Sequence, residues 1–398
     1  MAASGRMGDV HASTSVPAVD LVIAVHDARR PVARAVRSVL DGSEGLVRVT
    51  VVAHDLGIGT VEDALALTPD ERPHVRVLGY SDHVRSPAGP FNHGLAHARA
   101  EYVAVMGSDD TLEPGAVRAW LDVARERGSD VVLAPLRQGG RVLRNPLVRR
   151  GTGRPGPRAT SPLDAVSDRL LYRSAPLGLL RRSTLARLGL TFTEGLATGE
   201  DLELSARLWC SDARIDMLPS APAYVVGADA ADRVTAARRP VADELAAVTR
   251  LRTVGLPGEL RPSQRRALAI KVLRVHVLGA LGRRQSADAW DDDGPAALRA
   301  EARAWLEAAP TALHALARAD LAALRVVAGR AWVARTGDDE RLPVGSDDSG
   351  PANAGRFAAA AVARARAGRL TTLVPRDLPD LLDPESTATR YVRYRLPW

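Results

Sequence analysis

The sequence predicts an α/β protein: a mostly parallel sheet covered by helices on both faces, followed by a mainly helical C-terminal region. Three observations predict it. Short apolar, β-branched runs alternate with amphipathic stretches, the spacing of βα units whose strands are buried on both faces. Several of those runs end in an aspartate. From Pro240 onward the text shifts to Ala, Leu and Arg at helical spacing.

The first run is Val19–Val25, ending in His26-Asp27, and the stretch from Pro31 to Leu40 then places Val32, Ala35, Val36 and Val39 on one helical face. The second, Val47 to Ala53, leads through His54-Asp55 and Gly57-Ile-Gly59 into a short helix from Val61 to Leu67. The third, Val75 to Leu78, is followed by the loop Ser86–Pro90 and a helix carrying Asn92, Leu95, Ala96 and Arg99. The fourth, Tyr102–Met106, stops at Gly107-Ser-Asp-Asp110 and precedes a helix from Gly115 to Arg127 and a strand from Asp130 to Ala134. The loop Arg149–Pro157 is basic and rich in turn formers, which suits either a phosphate or acceptor contact or a plain linker. The apolar segment Pro176 to Leu180 precedes Arg181-Arg182 and a helix ending at Gly189. Helices are expected near 241–254, 262–281, 296–307 and 311–334. The organisation is thus a disordered N-terminus (1–17), an α/β domain (18–238), a helical appendage (239–335), a Gly/Pro-rich linker (336–355) and a C-terminal segment (356–398) with one helix and a terminal strand.

Composition narrows the function classes. At 398 residues with a net charge of +7, the chain holds one lysine, Lys271, among 54 basic residues, and its charges alternate in sign. That pattern reflects an arginine-rich composition and solvated faces, and it argues against nucleic-acid binding. Cys210 stands alone, so there is no internal disulfide or thiol metal cluster, and a reducing compartment is expected. With no signal-like or membrane-length apolar run, the expectation is a cytoplasmic protein, peripheral at most at the inner face of the membrane. The stretch from Ala267 to Arg284 is apolar on one side with Lys271, Arg274, Arg283 and Arg284 around it, which allows peripheral membrane contact but favours core packing. The helical appendage also allows homo-oligomerisation.

Two acidic stations carry chemistry. In Glu101–Gly115 an apolar strand delivers Asp109 and Asp110 into a turn, where carboxylate oxygens suit a hard divalent cation bridging a diphosphate, or simply cap the next helix. In Ala197–Trp209, Gly199-Glu200-Asp201 opens an amphipathic helix. A carboxylate there is either a partner of the helix dipole or, if it faces a ligand crevice, a base for a hydroxyl proton. Arg207 and Trp209 read as helix packing.

With those residues the chain resembles the family 2 inverting glycosyltransferases of the GT-A fold, over Val19 to Thr235 and most closely from Val75 to Ala124. The resemblance implies a nucleotide-sugar-binding domain that moves a sugar from a nucleoside diphosphate to a hydroxyl on a glycan, polymer or lipid-linked acceptor, with Mg2+ or Mn2+ as cofactor. It implies Asp109 as metal ligand with Asp110 beside it, Asp201 as general base with Glu200 as alternate or support, and nucleoside contacts at His26, Asp27 and Asp55. Asn92 falls in the matching loop and helix. The stretch Tyr224–Thr235 resembles the segment after the catalytic helix in bacterial enzymes that glycosylate wall polymers such as teichoic acids, where Asp232, Arg233 and Thr235 would reach the diphosphate; a surface loop is the other reading.

The pattern departs from the family in places. Gly107 stands where the metal motif has its first aspartate, and no Gln-x-x-Arg-Trp follows Trp209, which disfavours a processive synthase. Gly107 also supports an alternative, a catalytically inactive GT-A-like scaffold. A nucleotidyltransferase is disfavoured because His26 to Pro31 has no glycine for a phosphate loop.

Overall fold

A computed structural model of the chain describes residues 16–43, 45–143, 162–227, 239–330, 332–333, 352–375, 377, 379–383 and 385–389. The strands in chain order are β1 (Val19–Val25), β2 (Val47–His54), β3 (Val75–Tyr80), β4 (Tyr102–Gly107), β5 (Thr111–Leu112), β6 (Val131–Leu133), β7 (Leu136–Gln138), β8 (Arg141–Leu143), β9 (Gly178–Arg181), β10 (Ile215–Met217) and β11 (Tyr224–Val226). Seven form the main sheet in the order β10-β6-β9-β4-β1-β2-β3, and a small second sheet runs β5-β11-β7-β8. The pairs β1–β2, β2–β3, β1–β4 and β10–β6 are parallel, while β9 lies antiparallel between β4 and β6.

The helices explain why the strands read as unbroken apolar runs. They are α1 (Val32–Leu40), α2 (Ile58–Leu65), α3 (Ala88–Ala96), α4 (Ala116–Arg127), α5 (Arg182–Arg187) and α6 (Leu202–Cys210), and they bury both faces of the sheet. The α1 helix buries Val32, Ala35, Val36 and Val39, the face expected from their spacing. The α3 helix lies close on the sheet because residue 94 is glycine: a Cβ there would come within 2.4 Å of Val22 Cγ1. Asp20 in β1 is fully buried but accepts bonds from Arg48 and from the backbone amides of Arg99 and Ala100, which tie β2 and the turn before β4 to one register.

The C-terminal region is helical as expected, with sharper punctuation than its periodicity suggested. It holds α7 (Val241–Thr253), α8 (Leu256–Glu259), α9 (Pro262–Lys271), a π-helical turn (Val272–Val277), α10 (Leu278–Gly282), α11 (Gly294–Ala308), α12 (Arg318–Ala328) and α13 (Ala354–Ala365). The stretch 262–281, expected as one helix, is interrupted by the π turn, and 311–334 divides into a 3-10 turn over Pro310–Ala315 followed by α12. The α13 helix begins inside the segment read as a linker; residues 336–351, the loop Arg149–Pro157 and the terminal strand lie outside the described residues.

Core packing accounts for most of Ala267 to Arg284, where Leu268, Ile270, Leu273, Val277 and Leu281 are inaccessible and Lys271, Arg274 and Arg284 are themselves buried, with Arg283 exposed. Among the described residues no helix is long and apolar enough to cross a membrane. The helical region is not a separate body, because Leu171, Leu202 and Ala206 of the α/β part belong to the same core as Leu245, Val248, Leu251 and Leu268.

Candidate active site

In the main sheet β1 is flanked by β2 on one side and β4 on the other, so the strand order reverses there, the point at which open α/β sheets bind ligands. The β1 loop brings His26, Asp27 and Arg30; the β4 loop brings Asp109 and Asp110. Arg30 Nη1 lies 3.1 Å from Asp109 Oδ1, and Arg34 donates to the Asp109 carbonyl at 3.0 Å, so the two loops meet through charge.

The two aspartates differ in what surrounds them. Asp110 accepts the Tyr224 hydroxyl and, at 2.7 Å, the Gly227 amide, which ties it to β11 and the small second sheet. Tyr224 in turn accepts from the Gly107 amide at 3.2 Å and is buried, and burial beside Asp110 raises its phenol well above the ordinary value. Gly227 leaves no room for a side chain, since a Cβ there would sit 2.1 Å from the Asp109 carbonyl oxygen. A Cβ at Gly107 would meet Asp110 Oδ2 at 2.6 Å, so the absent first aspartate of the motif matches a turn closed over that point. The half-buried carboxylate of Asp109 is therefore the group that a hard cation could use, since Mg2+ binds through one or two carboxylates with the remaining positions filled by phosphate and water.

Asp27 is turned toward Arg29, whose side chain and amide bond it and hold its carboxyl down at about 2. His26 is held below its ordinary value by burial and then by Arg30. At the ends of β2 and β3, Asp55 adopts φ 54° and joins His54 and Asp82, with ligand atoms within 4.8 Å of one another. Those groups satisfy each other: His54 Nε2 lies 2.7 Å from Asp82 Oδ1 and 3.4 Å from Asp55 Oδ2, and Ser81 donates to Asp55. Hydrogen bonding from Ser81 keeps Asp55 below the usual carboxylate range.

The second station lies on the same side of the sheet. Arg173 donates to the Ala134 carbonyl just past the end of β6, and Ser174 next to it accepts from Lys271 and, through its carbonyl, from Ser205 in α6. The sheet connectivity makes β6 run parallel to β4, because each is antiparallel to β9. The first turn of α6 is thus at the carboxyl end of the strands. Gly199 enters it at φ 79°, a conformation that favours glycine, and a Cβ there would press on Ala247 of α7 at 2.7 Å. Asp201 occupies the N-cap position yet makes no side-chain capping bond. Burial, then the neighbouring Asp201, raises Glu200 to about 7; burial also raises Asp201, against the opposing charge of Lys271.

Asn92 serves a different contact. Its amide donates to the Phe192 carbonyl and to Glu194 and accepts from the Phe192 amide, clamping α3 to the 192–194 loop on one wall of a cleft of about 530 Å³ that also holds Glu203, Arg207 and Arg250. Arg207, on the cleft wall, pairs with Glu203 and Glu259, whereas Trp209 is buried with its indole on the Arg173 carbonyl, as packing requires. Arg233, with Asp232 and Thr235, lies outside the described residues. Sequence reasoning missed Arg30, Tyr224, Gly227 and Lys271. A basic residue three positions after Asp27 is the signal for Arg30, the uniqueness of the lysine is the signal for Lys271, and Tyr224 and Gly227 fall in the stretch Tyr224–Thr235 without a local mark of the contacts they make.

Residues 20–189 match the profile of glycosyl transferase family 2. Over 213 residues the chain is 30% identical to the succinoglycan biosynthesis protein ExoO of Rhizobium meliloti, covering 52% of this chain and 60% of that protein. Over 116 residues it is 26% identical to a poly(ribitol-phosphate) beta-glucosyltransferase of Bacillus spizizenii, covering 29% of this chain and 17% of that one. The chain therefore spans less than two thirds of either relative's length. The crystal structure of S. aureus TarS 1-349 with UDP-GlcNAc superposes with a TM-score of 0.63 at 16% identity, covering 80% of this chain and 88% of that one, and its UDP complex with a TM-score of 0.60 over the same shares. These two likenesses establish the fold.

Proposed function

We propose, from the premise that residues 20–189 form a family 2 glycosyltransferase domain, that the chain moves a sugar from a nucleoside diphosphate to a hydroxyl of a cell-surface glycan or polymer precursor, with inversion at the anomeric carbon. The observation that supports this best is the pair of acidic stations at the carboxyl end of one sheet, Asp109 beside Arg30 and Glu200-Asp201 at an uncapped helix start. The TarS complex with UDP-GlcNAc supports a nucleotide-sugar donor, and the exopolysaccharide and poly(ribitol-phosphate) enzymes among the relatives support a polymeric acceptor.

In this reading Asp201 accepts the acceptor's hydroxyl proton as its oxygen attacks the anomeric carbon and the bond from that carbon to the diphosphate oxygen breaks. Glu200 orients the acceptor. His26, Asp27 and Asp55 line the nucleoside end, and Asn92 shapes the wall through its clamp on the 192–194 loop. A divalent cation, Mg2+ or Mn2+, would be held by Asp109 with Asp110 fixing the turn, and would supply charge neutralisation for the departing diphosphate. Arg30 offers positive charge at the same place.

The test is release of nucleoside diphosphate from a panel of sugar nucleotides with and without Mg2+ or Mn2+. Asp201→Asn is expected to lower turnover by about 10²- to 10⁴-fold, and Asp109→Asn to abolish the metal-dependent turnover. Full turnover in Asp201→Asn rules out this base. A folded protein that binds no donor in the panel favours the scaffold reading.

A further inference from the structure

Lys271 is the single lysine of a chain that otherwise builds every basic position from arginine, and it is 2% exposed. It ends α9 immediately before the π-helical turn Val272–Val277, an irregularity that recurs at functional sites. Among the described residues its ammonium makes one hydrogen bond, to Ser174 Oγ at 3.1 Å. A buried charge with one neutral partner is costly unless a carboxylate acts on it. Arginine's broad, forked guanidinium is a poor substitute for a compact point charge in such a space.

We propose that Lys271 is a positioning residue which the helical region supplies to the active site, its ammonium lying beneath the first turn of α6 and holding the Asp201 carboxylate in place by charge. The inference rests on reading Asp201 as the base. Two elements support the arrangement: the Ser174 carbonyl accepts the Ser205 hydroxyl from α6, and the Trp209 indole donates to the neighbouring Arg173 carbonyl at 2.8 Å. The titratable groups whose charge couples to the ammonium are Asp201 and His276 on the π turn. Burial, then Lys271 and Arg283, lowers His276 to about 3, so its ring is neutral and does not compete. Burial lowers Lys271 to about 8, with Asp201 opposing the fall.

The lone lysine makes the test direct. With 15N-labelled lysine the full-length protein gives one side-chain nitrogen signal that needs no assignment, and its titration midpoint can be followed without substrate. Asp201→Asn is expected to lower that midpoint by about one pH unit, the scale of a close charge pair, whereas Arg187→Ala on the exposed surface leaves it unchanged. An unmoved midpoint in Asp201→Asn with an intact circular dichroism spectrum overturns the proposal. A second arm follows nucleoside diphosphate release from UDP-GlcNAc and UDP-glucose against pH. Lys271→Met should displace the acid limb upward by about one pH unit and recover rate at alkaline pH, and Lys271→Arg should restore part of the limb. A parallel loss at all pH values means a structural role alone and overturns it. Wild-type turnover in Asp201→Asn removes the base and this role together; a dead Asp201→Asn with an unmoved limb in Lys271→Met removes the lysine's role only.

Discussion

At Glu200 and Asp201 burial, and at Glu200 also the neighbouring Asp201, favours the protonated forms, while backbone amides at the start of α6 and, at Asp201, Lys271 favour the ionised ones. The balance raises both, which suits a base that must hold a proton near neutrality. The rate should therefore fall on acidification with an apparent pKa above the ordinary aspartate value of 3.8, read from a pH–rate profile. Stability carries the opposite mark. A carboxyl raised from 4.5 to about 7 stabilises the fold below pH 4.5 and loses that contribution as pH rises through 7. Glu200→Gln, which stays neutral, should melt at a higher temperature than wild type at pH 8, with the difference gone below pH 4.5; equal melting at pH 8 would mean that Glu200 ionises without cost.

At the scale of elements, β11 and its following glycine hold the Asp109-Asp110 turn from outside the βα units. Gly227→Ala would force a Cβ to within 2.1 Å of the Asp109 carbonyl, so the turn must shift. We expect a stability loss of about 1–3 kcal/mol and weakened donor binding, measured by thermal melts and by calorimetric titration with UDP; unchanged UDP affinity would mean that the turn relaxes without moving the donor site. The antiparallel β9 makes a related point about legibility. Its four residues read as an apolar segment, because a strand of that length has neither period nor flanking turn enough to distinguish it from any buried stretch. The interruption after Lys271 was equally hidden, since a π turn leaves the apolar pattern of a helix nearly intact.

For the whole molecule, the residue pattern and the packing disagree about where one unit ends. The change of composition at Pro240 suggested a separable appendage, yet α6 packs Leu202 and Ala206 into the helical core and Lys271 reaches back to Ser174 of the α/β part. Residues 1–238 alone should expose that apolar face, bind a hydrophobic dye and fail to run as a compact monomer. The full chain should unfold in one calorimetric transition, and two separate transitions would restore the independent-appendage reading. By itself the sequence determined the alternating α/β order, the α1 face, the position of both acidic stations and the likeness of residues 20–189 to a glycosyltransferase family, because periodicity and short motifs are local and survive in one dimension. Only the tertiary structure decided that Asp110 is held by Tyr224 and Gly227 while Asp109 meets Arg30, that Asn92 serves as a clamp, and that the lone lysine is buried against Ser174, which also bonds α6. Those pairings join residues separated by as many as 117 positions, and no local pattern encodes which distant side chains the fold brings within reach of one another.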